Sequence, residues 1–294
     1  MCRLYGFHAN EPTRIECSLI HAQNALMEQS IRDQHGLTHG HGWGVAGYPD
    51  GLPFVEKQAW AAYHGEHFKK TASRVYARTV IAHVRRATVG APSIENTHPF
   101  EHGRWLLAHN GTIGAFEQIR DQMLEAMDPL HRNEIHGNTD SEHIFRYLLS
   151  LAIKAPEKEL RHVLHDGLKQ IVRWSREANS EAKISLNILW TDGDHLAGSR
   201  LNRTLWFLER DDIIHCDICG QPHVHHDPKR DYRAVEVASE PITDEKWLGV
   251  PNGTVFSIDP DVRMHFEPMD AVLLEMMEGA PDEEAREEAD QSTK

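Results

Sequence analysis

The 294-residue chain, 40% hydrophobic and 26% charged, can bury a full core as one large domain or two small ones. Its formal charge of −14 speaks against a general nucleic-acid binder, which sets clustered Lys and Arg against phosphates. It has no apolar run of about eighteen residues to span a membrane and no basic-then-apolar start of a secretory signal. Its four cysteines (Cys2, Cys17, Cys216 and Cys219) fit a reducing cytoplasm better than a disulfide framework.

The chain starts MCRLYGF, and once Met1 is removed Cys2 carries a thiol and a free α-amine on one carbon. Taken alone, it reads as an accidental cysteine at a frayed end. PTRIECSLIHAQNALMEQSIRD spaces Ile15, Leu19, Ala22 and Leu26 near every fourth position and predicts an amphipathic helix. HGHGWGVAGY is too rich in glycine for a helix and predicts a short strand through Val45 and Tyr48. Its first half is either the mouth of a pocket, with Trp43 as a wall, or a packed turn. HFKKTASRVYAR predicts another helix. TVIAHVRRATVG predicts a strand ending in a polar loop at Gly90, and RWLLAHNG a strand running into Asn110-Gly111, a pair that also suits a plain hairpin turn.

TDSEHIFRYLLSL opens with a capping box from Thr139 to Glu142 and sets Ile144, Phe145, Leu148 and Leu149 on one helical face. A second helix carries Leu160, Val163, Leu164, Leu168, Ile171 and Val172. Strands follow in ISLNILWTDG, TLWFLER, YRAVEVAS and GTVFSI. Elements grouped in this way predict an α+β fold with largely antiparallel sheets. One domain is expected over residues 2–277, followed by an acidic, disordered tail over 278–294.

Cys2, Arg85, Asn110-Gly111 and Asp140 stand at strand ends or at a helix start, where a scaffold presents side chains to a ligand. They supply a nucleophile, a fixed cation, a neutral oxyanion donor and a carboxylate. An α-amino acid amide such as glutamine needs that set: arginine for its carboxylate, aspartate for its ammonium, and a nucleophile with an oxyanion hole for its amide carbon. Each group also has a plainer reading, Arg85-Arg86 as a solvated pair and Asp140 as a helix-dipole partner.

Cys2, AHVRRATVG, NTHPF, AHNG and TDSE, in that order, resemble the glutaminase domain of class II glutamine amidotransferases over about residues 2 to 260. MCRLYGF, GWG and ENTHPF are most similar to the stand-alone YafJ-type members, and the ergothioneine-pathway γ-glutamyl hydrolase is a related single-domain enzyme. The resemblance implies the N-terminal-nucleophile hydrolase fold, a four-layer αββα sandwich of two antiparallel sheets. It implies Cys2 as nucleophile with its own α-amine as proton acceptor, and Asn110 and Gly111 as the oxyanion hole. Arg85 with Thr88 nearby would hold the substrate carboxylate, and Asp140 the ammonium. The implied reaction is hydrolysis of glutamine to glutamate and ammonia, with no cofactor for catalysis. Two alternatives stay open: a hydrolase of modified γ-glutamyl compounds, and a non-catalytic subunit sensing a γ-glutamyl ligand. An ammonia-accepting synthase subunit is a further expected partner. Arg86 and Val89 depart from the tryptophan and histidine that glucosamine-6-phosphate synthase has there, which bears on the outer pocket.

HCDICGQPHVHHD, residues 215–227, holds Cys216, Cys219, His223 and His225. C-x2-C is a zinc-knuckle spacing, so these four are either ligands of a structural zinc or the lining of a plain loop.

Overall fold

The computed structural model describes residues 2–49, 51–87, 90–211, 216–224, 231–259 and 261–270. Strand β1, Arg3–Arg14, has both faces covered: Leu4 joins one apolar core, while Tyr5, Phe7 and Ala9 join another on the opposite side. Alternate residues buried in both directions place a strand in the interior of a layered structure.

A five-residue π-type turn, Cys17–His21, and α1, Leu26–Ile31, follow β1. Next come β2 (Trp43–Gly47), β3 (Phe54–Gln58), α2 (His67–Ala72), β4 (Tyr76–Val84), β5 (Phe100–His102) and β6 (Trp105–Ile113). The helical stretch is α3 (Phe116–Ala126), α4 (Pro129–Arg132), α5 (Asp140–Lys154) and α6 (Leu160–Ala178). The chain then gives β7 (Ile184–Thr191), β8 (Leu196–Arg200), β9 (Trp206–Arg210) and β10 (Ala234–Ala238). Strands β11 (Leu248–Gly249), β12 (Thr254–Ile258) and β13 (Met264–Pro268) complete it.

Among the described residues these strands form a seven-stranded sheet, β11-β9-β10-β1-β4-β2-β3, and a six-stranded sheet, β13-β12-β8-β7-β6-β5. Neighbours in both sheets pair antiparallel. Leu4, Ile81, Leu106, Ala108, Leu189 and Phe256 fill the space between the sheets. Leu186, Ile188 and Trp190 on the outer face of the second sheet meet Phe145, Leu148, Leu164 and Ile171 of α5 and α6. On the outer face of the first sheet, Tyr5, Phe7 and Val45 meet Leu19, Leu26 and Phe68. The result is the αββα sandwich that the resemblance implied. No helix among the described residues is long and apolar enough to cross a membrane.

The structure revises several local expectations. Ile15, Leu19, Ala22 and Leu26 are all buried, yet no single helix carries them. The chain breaks at Ala22, which turns extended (ψ 159), and Asn24 is held across the gap by Pro241 O and Ile242 O. The helix expected through Arg78 ends at Ala72, because Tyr76 and Ala77 pair with Arg14 and Thr13 of β1. Asn110-Gly111 is no turn: β6 runs on to Ile113, with Asn110 opposite Asn187 and Gly111 opposite Leu186. The capping box is half formed. Thr139 Oγ1 accepts from Glu142 N at 3.3 Å, but the Glu142 carboxylate accepts from His136 N and Gly137 N instead. The expected acidic tail lies outside the described residues.

Candidate active site

Strand parity decides which side chains meet. Leu4 points between the sheets, so Cys2, two residues earlier, points the same way. Ile81 of β4 does likewise, which carries His83 and Arg85 to that side, and Leu106 and Ala108 of β6 carry Asn110. Strands β1 and β4 are neighbours, with Arg3 opposite Val84, and β6 faces both across the sandwich. Cys2 just before β1, Arg85 just after β4 and Asn110 in β6 thus share the parity that faces the inter-sheet space, and the Arg85 charge acts on the Cys2 thiol.

Cys2 is half-buried, and its thiol donates to Arg86 O at 3.6 Å. Burial raises the thiol pKa above its ordinary value, against the pull of the Arg85 and Arg3 charges. Cys2 therefore rests as a thiol, and a nucleophilic role would require a base. Arg85 is buried, and burial lowers its pKa. Its guanidinium donates to Ala91 O at 3.2 Å and Gly90 O at 3.4 Å, which fixes the fork against its own loop. That loop is ordered in turn by Asn96, whose amide donates to Ala91 O and whose Oδ1 accepts from Asn138 N.

Asn110 is buried. At Gly111, a Cβ would lie 1.9 Å from Ser185 O and 2.4 Å from His109 Nε2, so only glycine lets β6 approach β7 this closely. Asp140 opens α5 and is buried; its Oδ2 accepts from Ile113 N at 2.9 Å and its Oδ1 from Ser141 N at 2.8 Å. The carboxylate thus ties the end of β6, three residues past Asn110, to the helix start.

Trp43 is a correction. It is fully buried on the outer face of the first sheet, edge-on to Phe68 (ring centroids 5.2 Å apart) and His67 (5.6 Å). Trp43 and Val45 share the parity that faces α2, so the ring packs the core on the outer face, away from the inter-sheet side that Cys2 faces. The glycines beside it make the close contacts instead. Gly42 O accepts from Arg85 N at 2.7 Å, and a Cβ on Gly44 would meet His98 O at 2.1 Å. His41 Nδ1 accepts from Ala87 N at 2.9 Å, so the segment 41–42 runs along the Arg85–Ala87 loop. Thr88 lies outside the described residues, as does Met1.

Sequence reasoning missed the clamp behind Cys2. Arg3 is buried and donates to Asp33 Oδ2 (2.7 Å), Glu240 Oε1 (2.6 Å) and the carbonyl of Cys2 (3.1 Å). His39 Nε2 lies 2.9 Å from the same Asp33 oxygen, and burial drops the His39 pKa to about 4, keeping the ring neutral. The available signal was the arginine itself, a charge inside the apolar run CRLYGF that folding can bury only with acid partners.

Of the expected metal ligands, Cys216, Cys219 and His223 come together, and Cys17 joins them; His225 lies outside the described residues. This cluster sits on the outer side of the first sheet, apart from Cys2.

A family model described as glutamine amidotransferases class-II matches residues 1–267. The yeast protein named "Probable glutamine amidotransferase DUG3" (Saccharomyces cerevisiae) is 30% identical, over 88% of this chain and 82% of its own length. The gamma-glutamyl-hercynylcysteine sulfoxide hydrolase of Mycobacterium tuberculosis is 32% identical over 38% of this chain and 50% of its own. Among solved structures, a glutamine aminotransferase class-II domain protein from Silicibacter pomeroyi superposes with TM-score 0.61 at 19% identity, over 91% of this chain and 99% of that one. Glutamine phosphoribosylpyrophosphate amidotransferase from Bacillus subtilis superposes with TM-score 0.59 at 18% identity, over 92% of this chain and 50% of that one. These two likenesses bear on the fold, which is that of the N-terminal-nucleophile amidotransferases.

Proposed function

Because the chain belongs to the class II glutamine amidotransferases, we propose that it hydrolyses the side-chain amide of glutamine, or of a related γ-glutamyl compound, through a thioester on Cys2. What supports this reading is the shared inter-sheet parity of Cys2, Arg85 and Asn110, the reach of the Arg85 charge to the Cys2 thiol, and the bond from Asp140 to the end of the Asn110 strand.

With Met1 removed, the freed α-amine has an ordinary pKa of about 7.7–8.0, so a useful fraction is free base at neutral pH. It takes the proton of the half-buried thiol, whose own raised pKa makes that help necessary. The sulfur attacks the amide carbon, and the C=O electron pair moves onto oxygen. Asn110, through its side-chain amide, and Gly111, through its N–H, donate to that oxyanion. Collapse expels the amine, which leaves as ammonia after taking the proton back from the α-ammonium. Water, deprotonated by the same amine, then cleaves the thioester to release glutamate and restore the thiol. Arg85 grips the substrate carboxylate and Asp140 accepts from its ammonium.

The partial match to a γ-glutamyl sulfoxide hydrolase supports one variant, in which the leaving amine is larger than ammonia. The test is glutamate release from glutamine and a panel of γ-glutamyl amides by full-length protein whose intact mass lacks Met1. Glutamate from at least one member, and a single covalent adduct at Cys2 from a glutamine-mimicking diazo ketone, are expected. An inert, correctly trimmed protein would overturn the reading and leave a sensing subunit in its place.

A further inference from the structure

The connection from β9 to β10 spans residues 211–233, long for a segment inside a domain and poor in apolar residues. Its stretch 216–224 is nevertheless seated on the end of β1. Arg14 N donates to His223 O at 2.8 Å, Val224 bridges Thr13, and Ile218 packs against the core beneath. Within it the chain doubles back on itself: Gly220 N donates to Cys216 O at 2.7 Å, and Cys216 N to Gln221 O at 3.2 Å. Gly220 takes the left-handed φ of +69 that this reversal needs, and a Cβ there would touch nothing, so the glycine serves the turn and not packing.

The reversal turns the thiols of Cys216 and Cys219 to one side. His223 follows, its Nε2 3.2 Å from Cys219 Sγ. A third thiol arrives from a remote part of the chain: Cys17 opens the π-type turn three residues after the end of β1. The four atoms, three Sγ and one ring nitrogen, all lie within 4.8 Å of one another, and all three cysteines are free.

We propose that Cys17, Cys216, Cys219 and His223 bind a zinc ion in a closed Cys3His site that staples the β9–β10 connection to the turn after β1. A tetrahedron with Zn–S near 2.3 Å and Zn–N near 2.0–2.1 Å has edges of about 3.5–3.8 Å, so the four atoms are already close to coordinating distance. Thiolates with one imidazole are soft and borderline donors, which select zinc over magnesium or calcium. Four protein ligands leave no open position, so the ion is structural, consistent with its place on the far side of the sheet from Cys2. Apolar packing does not explain the cluster, since Cys219 is exposed. A cavity of about 400 Å³ adjoins it, with Cys17, Cys216 and His223 among its lining beside Arg210, Tyr232 and Glu236, so the ion would also fix part of that lining. The set differs from the spacing-based expectation by one ligand, with Cys17 in place of His225.

The test uses the full chain, purified under reducing conditions without chelators. Elemental analysis is expected to find one zinc per chain, and exchange with cobalt(II) to give the intense visible bands and thiolate charge-transfer absorption of a tetrahedral thiolate-rich site. Cys17→Ser is expected to lose stoichiometric metal and weaken the charge-transfer band; His225→Ala is expected to leave both unchanged. No zinc together with no cobalt spectrum in the wild-type protein overturns the proposal, which does not depend on a variant folding. So does a Cys216–Cys219 disulfide in the freshly reduced protein, iron as the bound metal, an unaltered cobalt spectrum in Cys17→Ser, or loss of metal in His225→Ala.

Discussion

Cys2 and Arg3 illustrate how neighbouring residues divide labour: one presents a thiol between the sheets, the other turns outward and holds the backbone that presents it. Removing the thiol in Cys2→Ala removes the proposed nucleophile and little else. Glutamate release is expected to fall by ~10⁴-fold or more with an unchanged melting curve. Arg85→Lys keeps the charge and loses the planar fork, so KM for glutamine is expected to rise by about 10- to 100-fold, with a smaller effect on kcat. Arg3→Met is a different kind of change. It strands Asp33 and Glu240 as buried carboxylates without their cation, at a cost of about 3–5 kcal/mol in urea unfolding. A fully stable Arg3→Met protein would show that the clamp contributes nothing to holding this end of β1.

At the scale of elements, β2 and β6 place their residues by parity and spacing. Trp43 packs under α2, so Trp43→Ala is expected to cost about 3–5 kcal/mol while leaving KM for glutamine near wild type. A raised KM with unchanged stability would instead make the ring a pocket wall. In β6, Gly111→Ala pushes a methyl group into Ser185 O and forces β6 and β7 apart. A loss of about 1–3 kcal/mol is expected, with a fall in kcat of ~10²-fold as the proposed oxyanion donor shifts. Chemical unfolding and steady-state kinetics on the same preparations separate the two effects.

For the whole molecule, the four layers bury several of the described histidines as neutral rings. His8 and His39 are both buried, with pKa values lowered to about 4 by desolvation, and burial pushes His83 and His98 well below their ordinary value. An unfolded histidine titrates near 6.5, so between about pH 6.5 and 4 the unfolded chain binds protons that the native state refuses. Stability therefore falls as pH drops through that window and levels off below it. From pH 7 to pH 5, His8 and His39 are each expected to remove about 2 kcal/mol, read as a lowered urea midpoint. A flat profile across that range would mean that these rings charge freely in the native fold.

The apolar spacing of Ile144 to Leu149 and of Leu160 to Val172 was enough to predict α5 and α6, because a helix under a sheet needs one apolar face whatever lies beneath it. The order of Cys2, Arg85, Asn110 and Asp140 likewise pointed to the class II glutamine amidotransferases, the family to which the chain belongs. Local pattern failed where remote strands intervene. It read one helix across Ile15 to Leu26 and left open a plain turn at Asn110-Gly111 and a pocket wall at Trp43, each of which is decided by pairing partners far along the chain. Cys17 and the acids around Arg3 were invisible for the same reason. Residue types and their spacing determine which chemistry a chain can perform, but only the packing of sheet on sheet decides which side chains share a site.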